Sequence, residues 1–186
     1  DDDAVAGSQD PASHDHDPGA ASALQRNAMT ILFMALLYSA YGLLMVAGFA
    51  LAGHYGQHVT ARDGLLWGIA GFAGLHLAPA LGLAPELPGT VAADLGDRQW
   101  WWGLTVICTG AGLAMLGYGR KPLWTALAIM VLALPHVIGA PELGGFSGVA
   151  PPEVASAFAA RTLAVGLAAW GVLGWVAGWY WDRTAR

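Results

Sequence analysis

The sequence predicts an all-α, polytopic transmembrane helical bundle with five crossings, and three observations carry that expectation. Hydrophobic residues make up 56% of the 186 residues and charged residues 11%, a balance suited to lipid rather than water. The mean hydropathy is +0.50, with the few charges gathered between long uncharged stretches. Five of those stretches reach the roughly 20 apolar residues that a hydrocarbon core of about 30 Å demands of a helix. They are residues 28–52, 64–84, 100–119, 122–140 and 162–181.

Ahead of the first span, Asp1-Asp2-Asp3 and Ser13-His14-Asp15-His16-Asp17-Pro18 are too polar to bury. Residues 1–24 are therefore expected as a disordered acidic, His-containing tail or linker before a membrane domain over residues 25–186. The start at Asp1 rather than Met leaves a cleaved signal peptide and a removed first helix both open.

The second span closes on Pro79, Pro85 and Pro88, with Gly82 and Gly89 between and after them. A proline removes a helical hydrogen bond, and in lipid the freed carbonyl must find another partner. Two expectations stand: a broken or re-entrant segment over residues 79–90 that lines a cavity, or a simple kink followed by a rigid loop. The third span opens on Arg98 and Trp100-Trp101-Trp102. Tryptophan prefers the headgroup region, and Arg98 is expected to stack on an indole or pair with Asp94 or Asp97, anchoring that span. Cys108 lies inside it as a small packing residue.

A tight turn at Arg120-Lys121 leads into the fourth span, which ends Leu134-Pro135-His136-Val137-Ile138-Gly139-Ala140-Pro141-Glu142. Trp175, Trp179 and Trp181 anchor the far end of the fifth. The spacings Gly64-x-x-x-Gly68 and Gly174-x-x-x-Gly178 allow close helix approach, within the bundle or to another subunit.

Sorting loops onto alternating sides places Arg26, Arg98 and Arg161 on one face and Arg62, Arg120, Lys121, Arg183 and Arg186 on the other. The second face is then cytoplasmic, the acidic tail periplasmic and the C-terminus inside a bacterial inner membrane. His76, Glu86, His136 and Glu142 all fall at the outer face, beneath the tail that carries His14 and His16. A polar residue at membrane depth is a functional hypothesis, and imidazole with carboxylate suits divalent first-row cations. The dull alternative is a structural histidine donating to a carbonyl freed by its neighbouring proline. His54 and His58 are read as surface residues of the inner loop.

The net charge of -5 and the lack of a basic patch exclude a nucleic-acid partner. There is no phosphate loop, nucleophile elbow or His-Glu-x-x-His run, so hydrolytic or redox catalysis finds no support and the chain is not expected to be an enzyme.

Several stretches together resemble the CbtA family, proposed cobalt transporter subunits associated with vitamin B12 biosynthesis. They are Trp67-Gly68-Ile69-Ala70-Gly71-Phe72, His76-Leu77-Ala78-Pro79-Ala80-Leu81-Gly82-Leu83, Pro85-Glu86-Leu87-Pro88-Gly89, Asp94, Arg98-Gln99, Trp101-Trp102 and Leu134-Pro135-His136-Val137-Ile138-Gly139-Ala140-Pro141. The resemblance covers most of the chain from about residue 27. It implies a partner, CbtB, with one membrane helix and a histidine-rich end. Members usually carry a further apolar helix ahead of the His- and acid-rich segment, so this chain reads as truncated or processed.

The leading expectation is a subunit that captures or passes a divalent cation, cobalt foremost, from the outer face. His76, Glu86 and His136 form its polar site and His14 and His16 an outer capture arm; no cofactor is expected beyond transient cobalt or another divalent ion. Its partners are the bilayer and a small CbtB-like subunit. A second expectation is an accessory subunit of a larger membrane complex, docking through Pro79, Pro85, Pro88, Gly89, Arg98, Trp101 and Trp102. Haem held between His76 and His136 is the third.

Overall fold

The computed structural model describes residues 18–142 and 151–184, and over them the chain is helical, with no strand. α1 covers Pro18–His54. The second rod joins α2, Ala61–Phe72, through a π-helical turn at Ala73–Leu77 to the short α3, Ala78–Ala80. α4 covers Leu95–Tyr118, α5 Pro122–Ile138 and α6 Pro152–Thr184. Each of the five expected spans thus contains a helix, the second stopping at Ala80, four residues short of its expected end, and the fourth at Ile138, two residues short. Three helices, Ser22–His54, Leu95–Tyr118 and Pro152–Thr184, are long and apolar enough to cross a membrane, and α5 is apolar but has 17 residues.

The ends differ from the expected ones for local reasons. Helix α1 starts at Pro18, so residues 18–24, expected as tail, are helical; proline is favoured in a first turn, where its missing N–H has no partner to lose. Asp94 starts α4 five residues early, because its Oδ1 accepts from the N–H of Gly96 at 2.8 Å and of Asp97 at 3.4 Å. Pro152 likewise opens α6 ten residues before the expected span.

Among the described residues, those up to Ala40 belong to one compact unit and those from Tyr41 onward to a second. In the first, α1 exposes Leu24, Ile31 and Phe33 at 73%, 70% and 62%, as a helix apolar all round does when lipid is its solvent. The second unit has its own core of Met45, Phe49, Val59, Phe72 and Trp170.

Within that second unit, α2 and α6 run antiparallel and touch backbone to backbone. A Cβ added to Gly64 would fall on the carbonyl oxygen of Gly174, and one added to Gly178 would lie 2.7 Å from the oxygen of Thr60 and 2.8 Å from Cα of Gly64. The two small-residue motifs therefore pack against each other, which lets weak dispersion forces act over the whole seam. Helices α4 and α5 form an antiparallel hairpin, with Leu132 filling the notch at Gly112.

A capping box fixes the start of α2. Thr60 Oγ1 accepts from the N–H of Asp63, and the Asp63 carboxylate accepts from Thr60 Oγ1 at 2.7 Å and Thr60 N–H at 3.0 Å. The Thr60 hydroxyl first, and its N–H second, hold the Asp63 carboxyl below its ordinary 3.8. Its contribution to stability is therefore complete above the unfolded carboxyl's pKa and is lost as pH falls through the lowered folded value. Thr60→Ala is expected to lower stability by about 1 kcal/mol. The deficit should shrink in acid, when unfolding of wild type and variant is compared by tryptophan fluorescence across pH.

At the other end of the same rod, Pro79 is accommodated rather than disruptive. Pro79 cannot donate to a carbonyl one turn back, and in the π turn before it Ala78 N–H reaches the oxygen of Ala73, five residues earlier. This extra residue per turn relieves the clash of the ring with the preceding turn. The helical path consequently runs through Pro79 to Ala80, two residues into the segment 79–90 expected as broken. Residues 81–94 form no helix, and the oxygen of Pro79 accepts from Gly82 at 3.1 Å and Leu83 at 2.8 Å.

Candidate functional site

A cleft of about 470 Å³ opens where the π turn meets the irregular segment, the first turns of α4, and α6 at Thr162 and Leu163. Its walls are mostly apolar, from Phe72, Leu75, Leu83, Leu95, Trp102 and Leu163, and its polar groups come from His76, Glu86, Arg98, Gln99 and Thr162. An apolar cleft with a few converging polar groups is the usual form of a ligand site.

His76 reaches this cleft because the π turn carries it. Its ring stacks on Phe72, with centroids 5.9 Å apart and planes 19° from parallel, and meets Trp170 and Tyr41 edge-on at 5.9 and 6.2 Å. Nε2 is buried and has no protein partner. An unsatisfied buried nitrogen costs about 1–3 kcal/mol, and π turns recur at functional sites. Two further buried polar atoms without a partner, Thr109 Oγ1 and Trp170 Nε1, occur on α4 and α6. Thr109 lies across from Gly74 of the π turn, and Trp170 against the His76 ring.

Glu86 sits on the same cleft, between Pro85 and Pro88, and its Oε2 accepts from Arg98 Nη2 at 3.0 Å. The sequence predicts that Arg98 stacks on an indole or pairs with Asp94 or Asp97, but its ion pair is with Glu86, and the Asp94 carboxylate is occupied in capping α4. The guanidinium instead bridges back across the irregular segment. Pro79 and Pro85 line the cleft, while Pro88 and Gly89 form an exposed turn, with Gly89 at φ 86°.

His136 is placed differently. It lies in the last turn of α5, exposed, with its ring centroid 5.9 Å from that of Trp101 in an edge-on arrangement, and it does not line the cleft. The shared end of the molecule is real: Gly82 is wedged against both Trp101 and Ala140. A shared end is not a shared site, however, and the haem expectation, which needs both imidazoles on one iron, gains no support from these surroundings. Among the described residues no group of three or more His, Cys, Asp or Glu side chains gathers as a metal cluster. His14 and His16 lie outside the described residues.

The three tryptophans of the expected anchor also divide. Trp100 and Trp102 are 67% and 42% exposed, whereas Trp101 is 5% exposed and donates from Nε1 to the oxygen of Pro135 at 3.0 Å. Trp101 is therefore a joint between α4 and α5. At the opposite end His58 and His54 are exposed, as expected, but His54 closes helix α1 rather than lying in the loop; His58 Nε2 lies 3.4 Å from Asp182. There Arg183 stacks 3.8 Å over Trp179. Cys108 is buried in α4, as a packing residue would be.

Sequence reasoning missed the aromatic wall around His76. Phe72 was within reach, since residues four apart share a helix face. Tyr41 and Trp170 come from distant spans and carry no local signal.

A family model described as "Probable cobalt transporter subunit (CbtA)" matches residues 1–182. No curated protein and no solved structure matches the chain.

Proposed function

The chain belongs to the CbtA family of probable cobalt transporter subunits, and from that premise we propose that it admits cobalt, as the divalent cation, to the cleft shared by His76 and Glu86. One observation carries this reading: His76, whose buried Nε2 has no protein partner, lines the same cleft as the Glu86 side chain. Imidazole and carboxylate suit first-row divalent ions, whereas tight storage favours thiolates. Two protein ligands leave such an ion most of its water, and so let it leave again. Movement of the ion, not catalysis, is the role assigned.

The split of basic residues supports a cleft facing outward across the inner membrane, with the Arg183 end in the cytoplasm. His14 and His16 would then collect ions above it, and His136, at the same end, would stand beside the entry. The partner is a small single-span CbtB-like subunit, and the cobalt serves vitamin B12 synthesis. A docking role remains the second reading, favoured by the exposed turn at Pro88 and Gly89.

Titration calorimetry of the purified full chain with cobalt(II) tests the proposal. His76→Ala and Glu86→Gln are each expected to weaken binding at least about tenfold, which corresponds to about 1.4 kcal/mol. Unchanged affinity in both variants would remove the cleft as the site.

A further inference from the structure

Resting on that reading, we infer that Arg98 is a tethered competitor for the cation: its guanidinium occupies the Glu86 carboxylate until a divalent ion displaces it. The cleft is lined by one carboxylate, Glu86, and one fixed positive charge, Arg98, and the two are joined at 3.0 Å. An ion approaching Glu86 therefore meets a carboxylate already neutralised. It must push aside a like charge to bind.

The placement of Arg98 makes that displacement feasible. It sits in the first turn of α4, where the positive end of the helix disfavours a guanidinium. Its side chain and that of Glu86 are 29% and 40% exposed, so the pair is screened by solvent and modest in strength. A divalent ion attracts the carboxylate with twice the charge of the guanidinium. A monovalent ion has no such advantage, so the arrangement favours divalent over monovalent cations at the cleft.

The alternative role for the pair is a mechanical pin. Residues 81–94 form no helix, and the ion pair ties their middle to α4. The two roles predict opposite signs. If Arg98 competes, removing it frees the carboxylate and tightens binding, while removing Glu86 weakens binding. If the pair is a pin, removing either partner loosens the same segment, and both variants bind worse.

The experiment is cobalt(II) titration of the full chain in lipid nanodiscs, using Arg98→Gln, Glu86→Gln and the double variant. Arg98→Gln is expected to tighten binding about two- to fivefold, the range released by losing an exposed ion pair. Glu86→Gln should weaken it at least about tenfold, and the double variant should match Glu86→Gln. Arg98→Met, which keeps the apolar stem, should tighten binding in the same way and serves where the Gln variant does not stay folded. Weaker or unchanged binding in the folded Arg98 variants, with Glu86→Gln still impaired, overturns the competitor and leaves the cleft intact as a cation site. Wild-type affinity in His76→Ala and Glu86→Gln would instead overturn the underlying reading, and the competitor with it.

Discussion

Replacing Gly64 or Gly174 by alanine is expected to destabilise the protein by at least about 2 kcal/mol, and leucine at either position to abolish the folded state. The reason is what the new atom would strike. At Gly64 it meets the carbonyl of Gly174 and the backbone of Gly178, and at Gly174 it meets the carbonyl of Gly64 and Cα of Gly68 at 2.8 Å. Backbone cannot rotate out of the way as a side chain can, so α2 and α6 must separate along their whole seam. Overpacking in a close-packed interior costs about 1–3 kcal/mol even where side chains yield. Gly110, on the exposed face of α4, has nothing within 4 Å of its would-be Cβ. Gly110→Ala should therefore stabilise by about 0.5–1 kcal/mol, through the backbone freedom that glycine loses on folding. Thermal unfolding in detergent, followed by tryptophan fluorescence, separates the two. Equal midpoints for Gly64→Ala and Gly110→Ala would contradict the tight seam.

The glycine seam was legible because its signal is periodic: four-residue spacing puts both glycines of each motif on one face whatever surrounds them. What the spacing could not say was that the two motifs meet each other, since pairing depends on the turns between spans. Pro79 shows a different limit. Its lost hydrogen bond marks trouble in a helix, but whether the chain answers with a break or a π turn depends on the packing around it. Here Gly74 lies against Thr109 and His76 lies against Trp170, so the extra residue is absorbed inside the helix. The candidate site divides along the same line. Counting loop charges placed His76, Glu86 and His136 at one end, and the first two share a cleft. His136 does not share it, because the end of a bundle is readable from topology and the facing of a side chain is not. Arg98 was drawn toward its sequence neighbours for want of knowing that Asp94 was already engaged.

Trp101 turns that distinction into a measurement. Trp101→Ala is expected to cost about 3–5 kcal/mol, the usual penalty for deleting a buried aromatic. Trp101→Phe keeps most of the volume and loses the donor, and should cost about 1 kcal/mol. The smaller figure follows because the oxygen of Pro135 also accepts from the N–H of Gly139 at 3.1 Å and is not orphaned when the indole leaves. Trp100→Ala, at an exposed position next along the chain, should stay within about 0.5 kcal/mol. Three tryptophans acting together as a headgroup anchor would instead show similar losses at positions 100, 101 and 102. The consequences for Trp101→Ala extend past stability. Its ring packs against Gly82 and its backbone oxygen accepts from Thr105 Oγ1 at 2.9 Å, so the same residue supports the start of α4, the end of α5 and the turn that leads to Glu86. Loss of the ring should therefore loosen the segment carrying Glu86 and weaken cobalt binding, while Trp100→Ala leaves binding unchanged. Full cobalt affinity in a Trp101→Ala protein of reduced stability would show that the cleft keeps its shape without the α4–α5 joint.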